Sequence, residues 1–500
     1  MITFSGLANR FEGMINPIAV KELRQAVQGK FIMGILLLFL TVAVIILGVV
    51  SMLYGEEFND FNSGRDIFLV FLGLLMGTCL LFLPLCAGVR LSFERADNVD
   101  LLYATTLKAG AIIRGKLLSS TILCVIIYSI CTPFMTLTYL LRGIDLLSIF
   151  FCLGASFLMM VGVFQIVLFL ASLPVNRWFK LLLAGGVLFG MTMLLVGAII
   201  LAEDLLRSGI GSMMTTREFW LVLGLILVLV GMAEGLLYVL SVAIISPSTV
   251  NRALPVRLYL TSIWLLTGAA CVGCAFYYVA YEVIMIWGIS SLIIFGLTLM
   301  ASISEREVLG PRIRRSIPQK PLRRMAAFFF YSGAGGGFLW CTLILAVTFG
   351  VMTYSMPFFP RFPRLGFSYT VEALNFDVAC VLLYFAGYAL MGAFVRRKFL
   401  SRWFRTDMTW GIAAILTVIF CVVPIVIAFF LKVNLDYESN YMWYLGNPGA
   451  IFWFSRYSER FLIAGSVWAG LGLLLNLRWL INQINQFQPL NNHKAVREGS

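Results

Sequence analysis

The sequence RLSFERADNVDLLYATTLKAGAIIRGK, residues 90–116, separates two long apolar runs at 67–89 and 117–140. Each run is long enough to cross about 30 Å of hydrocarbon as a helix. The polar stretch between them therefore connects two membrane spans. It combines acidic side chains with an apolar stripe of leucines, which is typical of a helix that docks a protein outside the membrane. An ordinary solvent-exposed loop is the alternative interpretation.

The rest of the chain is built in the same way, since 61% of its residues are hydrophobic and only 12% are charged. Backbone polar groups inside a bilayer must be satisfied within the segment, so apolar runs of this length form helices. We therefore predict an all-α polytopic membrane protein with about twelve transmembrane helices. The predicted spans lie near 31–54, 67–89, 117–140, 147–173, 181–201, 220–245, 258–279, 284–303, 327–354, 376–395, 410–431 and 461–480.

Charge predicts the orientation of these spans. If the N-terminus is cytoplasmic, the inner segments hold 28 Lys and Arg residues and the outer segments hold 9. This asymmetry favours cytoplasmic N- and C-termini in a bacterial inner membrane. The net charge of +13 then lies on the cytoplasmic face, where it serves topogenesis and contact with anionic membrane lipids. The basic residues are scattered over seven short segments, so we expect no nucleic-acid partner.

The order of spans and loops suggests two six-span halves. The longest predicted inner loops, 90–116 and 304–326, occupy equivalent positions, and both contain Glu-Arg (94–95 and 305–306). Three prolines in the second loop argue against one continuous helix there. The predicted parts are a cytoplasmic or interfacial segment 1–30, a first half 31–250, a second half 251–480 and a polar cytoplasmic tail 481–500.

Residues 17–29 read as an amphipathic helix lying on the membrane surface. Asn16 suits the N-cap and Pro17 the first helical position. Apolar residues at positions 20, 23 and 27 share one face, as in interfacial helices. A surface helix without a mechanical role is the alternative. The residues assigned to the interfacial helix are Pro17, Lys21, Glu22, Leu23 and Arg24.

Two stretches carry a resemblance to a known family. DLLYATTL at 100–107, followed by IIRGK at 112–116, resembles the coupling-helix segment of permease subunits in the type-2 exporter class of ABC transporters. Glu94 stands where that family has an upstream Glu, and Thr106 replaces its usual Pro. NPIAVKELRQ at 16–25 is similar to a segment that precedes the first span in many such permeases.

The resemblance implies a permease subunit of an ATP-driven exporter, with hydrolysis in a separate ABC ATPase. Two ATPase copies are the expected partners, and a second permease copy is a further candidate. ATP and Mg²⁺ would be bound by the ATPase, and no cofactor by this chain. The residues expected to couple to the ATPase are Glu94, Asp97, Asp100, Leu101, Leu102, Thr105 and Leu107.

Enzymatic chemistry has few candidate residues here. Residues 110–117 nearly spell a phosphate-binding loop, but Leu117 replaces the Ser or Thr that would hold Mg²⁺ and no strand precedes it. His493, in the polar tail, is the only histidine, which argues against paired-histidine metal sites and Ser/His nucleophiles. Cys271 and Cys274 have CxxC spacing, yet within an apolar run they suit helix packing. We expect no enzyme.

Glu234 is the one ionisable residue predicted deep within a span. A charge at mid-membrane costs roughly 2.5–3.5 kcal/mol on insertion scales, so such a residue is a functional candidate. Helix packing of a protonated or hydrogen-bonded Glu is the competing interpretation. Two alternatives to the exporter remain open: an ion-coupled secondary transporter, and a non-transporting membrane scaffold driven by an ATPase.

Overall fold

The computed structural model describes residues 16–28, 30–53, 63–97, 109–141, 144–173, 177–247, 249–359, 371–434 and 438–489. These residues are almost entirely helical, and no strand occurs among them. The all-α prediction is confirmed. The chain divides into two compact units, Met1–Pro247 and Ser248–Ser500. This division into two units does not test whether the chain is a tandem pair of six-span halves, which stays a prediction.

Within the described residues, eleven helices are long and apolar enough to cross a membrane. The shortest, Tyr281–Ser302, has 22 residues and so extends about 33 Å, enough for the hydrocarbon core. The eleven correspond to predicted spans two to twelve. The predicted first span falls on the 24-residue helix Lys30–Leu53. The protein is thus a multi-pass membrane protein.

The first unit contains nine α-helices in the described residues. Between the helices Ser63–Met76 and Leu83–Asp97 the chain continues as a π-helical turn, Gly77–Phe82. In this turn the Thr78 hydroxyl donates to the carbonyl oxygens of Leu74 and Leu75 at 3.0 and 2.9 Å. The helices are α1 Pro17–Gln28, α2 Lys30–Leu53, α3 Ser63–Met76, α4 Leu83–Asp97, α5 Ala109–Leu137, α6 Leu146–Ala171, α7 Arg177–Ser208, α8 Ile210–Met214 and α9 Arg217–Ile245.

The apolar core of this unit joins its second, third and fourth predicted spans. Phe68 and Leu72 on α3, Met135 on α5 and Phe164 on α6 are fully buried in one cluster. Predicted span three begins earlier than expected, because α5 starts at Ala109 rather than near 117. The last eight residues of the predicted loop 90–116 therefore belong to this helix.

The second unit contains eight α-helices in its described residues. They are α10 Ala253–Tyr278, α11 Tyr281–Ser302, α12 Pro311–Arg315, α13 Pro321–Phe330, α14 Ala334–Ser355, α15 Val371–Lys398, α16 Thr409–Phe430 and α17 Ser458–Gln486. The predicted loop 304–326 thus contains two helix segments instead of one continuous helix, as its prolines indicate. Helix α13 continues to Phe330.

The predicted start of span nine, at 327, is wrong. The three phenylalanines at 328–330 end α13, and the span itself begins at Ala334. The interruption is held by Arg257, whose guanidinium donates to the carbonyl oxygens of Phe329 and Tyr331, both at 2.8 Å. These carbonyls are therefore satisfied without a continuing helix.

The segment before α17 consists of short 3-10 helices that pack on two tyrosines of α15. Tyr384 donates to the Leu445 carbonyl and Tyr388 to the Gly446 carbonyl, each at 2.5 Å. The 3-10 helices are Glu438–Tyr444, Ala450–Phe452 and Ser455–Tyr457. Their aromatic side chains form a packed cluster with the second unit's spans.

Candidate functional site

Helix α1, which we predict to be interfacial, starts at Asn16, a residue that caps the helix and also attaches it to α5. The Asn16 side-chain oxygen accepts a hydrogen bond from the Ile18 backbone N–H at 3.1 Å, as an N-cap does. The Asn16 amide nitrogen donates to the carbonyl oxygen of Ala111 on α5. The predicted N-cap is confirmed, and the same side chain fixes α1 on the start of the third span.

A buried ion pair lies one and a half turns further along α1. The Lys116 ammonium is 2.5 Å from the Glu22 carboxylate, and only 5% and 11% of the two side chains are exposed. The neighbouring Lys21 and Arg24 are exposed and Leu23 is half-buried. Within the predicted interfacial set, Glu22 is therefore the residue that faces protein.

Gly115 lets the two helices approach at this point. A Cβ atom on Gly115 would lie 2.8 Å from the Ile18 Cβ and 3.0 Å from the Asn16 amide nitrogen. Ile113 and Ala19 are buried in the same region. Residues 16–22 thus pack closely against residues 111–116. We call this contact the α1–α5 junction.

The predicted ATPase-coupling residues lie next to the junction along the chain. Glu94 and Asp97 belong to the last turn of α4, which ends at Asp97, and α5 begins at Ala109. The other five predicted coupling residues lie outside the described residues; they are Asp100, Leu101, Leu102, Thr105 and Leu107. The structure therefore gives the helix ends that border residues 98–108.

Glu234 lies on a polar stripe of α9. It is eleven residues before Ile245, about 16 Å from that end of the helix and so close to mid-membrane. A Cβ atom on Gly162 would lie 2.9 Å from a Glu234 carboxylate oxygen, so the carboxylate rests against the glycine of α6. The missing side chain at 162 makes room for the acid.

The stripe continues through Tyr238 and Ser241, which follow Glu234 at spacings that share one helix face. The Tyr238 hydroxyl is 3.5 Å from the Gly110 carbonyl oxygen, and the Gln165 amide nitrogen is 3.5 Å from the Ser241 hydroxyl. The buried Gln165 amide oxygen has no hydrogen-bond partner among the described residues. Glu234 thus packs against α6 on the same face of α9 that makes these polar contacts with α5 and α6.

In the second unit, Glu305 forms a buried contact that sequence reasoning missed. The Arg257 guanidinium donates to the Glu305 carboxylate at 2.6 Å, and the Gly333 backbone N–H donates to it at 2.7 Å. Burial raises the pKa of Glu305, while Arg257 and the Gly333 N–H oppose that shift. The sequence showed only that a Glu-Arg pair recurs in both loops, not that its acid is paired with a residue in another span.

Glu307 makes a second attachment of the same loop. Its carboxylate accepts from Arg396 on α15, and its backbone carbonyl accepts from the Gln483 amide on α17 at 2.8 Å. Arg397 donates to Asn476 on α17. Together the two glutamates connect the start of the loop to the ends of four spans: α10, α14, α15 and α17.

Asp377 is a further buried acid that sequence reasoning did not single out. Only 1% of it is exposed, and neither carboxylate oxygen has a hydrogen-bond partner among the described residues. It is the second residue of the apolar segment Phe376–Lys398. In the sequence it is the second residue of the predicted span 376–395, and a position so close to the end of a span did not mark it as buried.

No protein-family model matches this sequence, and neither a curated protein nor a solved structure matches it. Function is therefore inferred from the residues and their contacts.

Proposed function

We propose that this chain is the permease subunit of an ATP-driven ABC exporter of the type-2 class, working with a separate ATPase subunit. The observation that supports this most is the α1–α5 junction. It joins the two stretches of sequence that resemble such permeases, and its buried ion pair connects residues 94 positions apart. Their contact gives a physical reason for both motifs to occur in one chain.

The junction also suggests how force would travel. Residues 98–108 are bordered by the ends of α4 and α5. A push on them by the ATPase would displace the start of α5, which is locked to α1 through Gly115 and Lys116. Because only residue 29 separates α1 from α2, the displacement would reach the first and third spans together. Closely packed helices transmit such movement with little compression.

The proposed partner follows from the coupling residues. Glu94, Asp97 and Asp100 would meet basic groups of the ATPase, and the leucines at 101, 102 and 107 would fill an apolar groove. The ATPase, in two copies, would hold ATP and Mg²⁺. This arrangement needs both termini of the permease on the cytoplasmic side of a bacterial inner membrane, as the distribution of Lys and Arg favours.

Two substitutions in the loop, one that reverses a charge and one that places a charge at an apolar position, test the proposal. Asp100→Lys and Leu102→Asp should each abolish co-purification of an ATPase, while the protein still inserts into the membrane. Asp204→Lys is the matched control for the charge change, because Asp204 is an exposed acid near the end of α7. An ATPase that co-purifies equally with both loop variants and with the control would refute the proposed docking.

An ion-coupled secondary transporter is the second candidate, and Glu234 is the observation that favours it. A carboxyl group close to mid-membrane, placed beside a glycine and a polar stripe, is a possible proton carrier in such transporters. A scaffold driven by an ATPase would share the docking loop but transport nothing. Glu234→Gln separates the two transporter classes, as described in the Discussion.

A further inference from the structure

Residues 308–330 of the second unit form a strongly basic segment. It contains six Lys or Arg residues and no acid, and we call it the basic segment. None of the six forms an ion pair with another described residue. Arg312, Arg315, Lys320 and Arg323 are exposed. The segment therefore presents unneutralised positive charge.

Helix α13, within this segment, is amphipathic. Leu322 and Met325 fall on one face and are 81% and 67% exposed, whereas Arg323 and Arg324 lie on the other side of the helix. Large exposed apolar side chains opposite basic ones are typical of a helix lying in the membrane interface. Only residues 331–333 separate α13 from the membrane-spanning helix α14.

The basic segment is held in place by contacts at both of its helices. The Tyr331 hydroxyl donates to the Ser316 carbonyl at 2.8 Å, which connects the end of α13 to the end of α12. The rings of Phe328 and Tyr331 pack on Phe487, just beyond α17, at 5.3 and 5.6 Å. Ile313, in the middle of α12, is buried. The charged surface is thus preformed.

We propose that the basic segment is a docking surface for anionic phospholipid headgroups of the leaflet that it borders. Guanidinium groups pair with phosphate oxygens in a bidentate geometry, which suits lipid phosphodiesters. Leu322 and Met325 would enter the boundary of the acyl chains. This function goes beyond transport and does not depend on an ATPase.

The neighbouring span favours a lipid over an acidic protein as the occupant. An acidic protein would satisfy the arginines, but α13 lies three residues from a membrane span, where lipid already surrounds the chain. Each Lys or Arg close to an anionic membrane surface contributes about 1 kcal/mol. Removing three of them should therefore weaken lipid binding on the order of 100-fold.

The test uses the full-length purified protein in detergent, titrated with fluorescent phosphatidylglycerol and with fluorescent phosphatidylcholine. We expect preferential binding of phosphatidylglycerol, and its loss in a variant with Arg312→Gln, Arg315→Gln and Arg323→Gln. The matched control removes three exposed charges that are scattered over predicted outer segments, through Arg217→Gln, Lys432→Gln and Arg460→Gln. It should keep the wild-type affinity.

Further arms identify the ligand. Leu322→Asn should weaken phosphatidylglycerol binding, and inorganic phosphate should compete poorly, because it lacks the acyl chains that Leu322 would contact.

Equal binding of the two lipids, or equal phosphatidylglycerol affinity in the triple variant and the wild type, would overturn the proposal. Displacement of phosphatidylglycerol by inorganic phosphate at a concentration equal to that of the lipid would also overturn the proposal. Loss of a co-purified protein with lipid affinity unchanged would assign the surface to a protein. Unchanged thermal stability of the lipid-free triple variant excludes misfolding.

Discussion

The Lys116 ammonium lies 2.5 Å from the Glu22 carboxylate, although the two residues stand on different helices and almost no water reaches either side chain. A buried pair of this kind is expensive to break, because the remaining charge has no solvent to stabilise it. The pair is therefore a specific contact between α1 and the third span.

The first prediction is that these residues are energetically coupled. Lys116→Met and Glu22→Gln should each lower the free energy of unfolding by about 3–5 kcal/mol, and the double variant should lose much less than the sum. Equilibrium unfolding in mixed micelles measures this cycle. Arg207→Met is the control, since Arg207 pairs with Glu203 at an exposed site, where such pairs contribute about 0–1 kcal/mol. Additive losses would contradict the coupling.

The second prediction concerns the close approach at Gly115. Gly115→Ala should destabilise the junction by about 1–3 kcal/mol, because the new methyl group would overlap Ile18 and Asn16. Gly154→Ala is matched, since both glycines lie within helices and a Cβ at 154 meets nothing within 4 Å. Both substitutions raise helix propensity by the same amount. The difference between their effects on the free energy of unfolding therefore measures the steric overlap at position 115. Equal effects would argue against a tight junction.

The third prediction concerns Arg257, whose side chain is 3% exposed. Arg257→Lys should destabilise the second unit by about 3 kcal/mol or more, because an ammonium cannot replace the planar fork that reaches Glu305 and two carbonyls. Arg402→Lys, at an exposed position, should be neutral within about 0.5 kcal/mol. Thermal unfolding in detergent compares them. An Arg257→Lys protein as stable as the wild type would show that the backbone carbonyls between α13 and α14 do not need a guanidinium group as their donor.

The fourth prediction separates the transporter classes through Glu234→Gln. A protonated carboxyl and an amide have similar size and hydrogen-bonding capacity, so an ATP-driven permease should keep most of its activity. ATP-dependent transport in proteoliposomes is the measurement, and Glu218→Gln, at the exposed start of the same helix, is the control. Transport that follows the proton gradient, ignores ATP and disappears in Glu234→Gln would instead identify a proton-coupled carrier.

The fifth prediction concerns topology. In a background without cysteine, Ser63→Cys and Ser439→Cys should react with an impermeant maleimide added outside the cell, and Ser316→Cys and Ser401→Cys should not. Ser316 and Ser401 are exposed, so an unreactive thiol there reports the side of the membrane rather than burial. Labelling of either from outside would reverse the orientation or change the number of spans.

The spans were predictable because hydrophobicity alone determines which segments can cross a bilayer. The start of span nine was not, because Phe328, Phe329 and Phe330 extend the apolar run while Arg257 holds the backbone in a break. The early start of α5 was missed because Arg114 and Lys116 look like loop residues, yet Lys116 is neutralised by Glu22. Pairings between residues 50 to 100 positions apart leave no local signal in a single sequence.

The pairing of Glu22 with Lys116 also has a consequence for biogenesis. A ribosome makes Glu22 94 residues before Lys116, so the nascent chain carries the acid through synthesis of its first two spans without its cation. Helix α1 can form its contacts with α5 only after the third span has been synthesised. Until that point, Glu22 lacks the cation that it contacts in the complete fold.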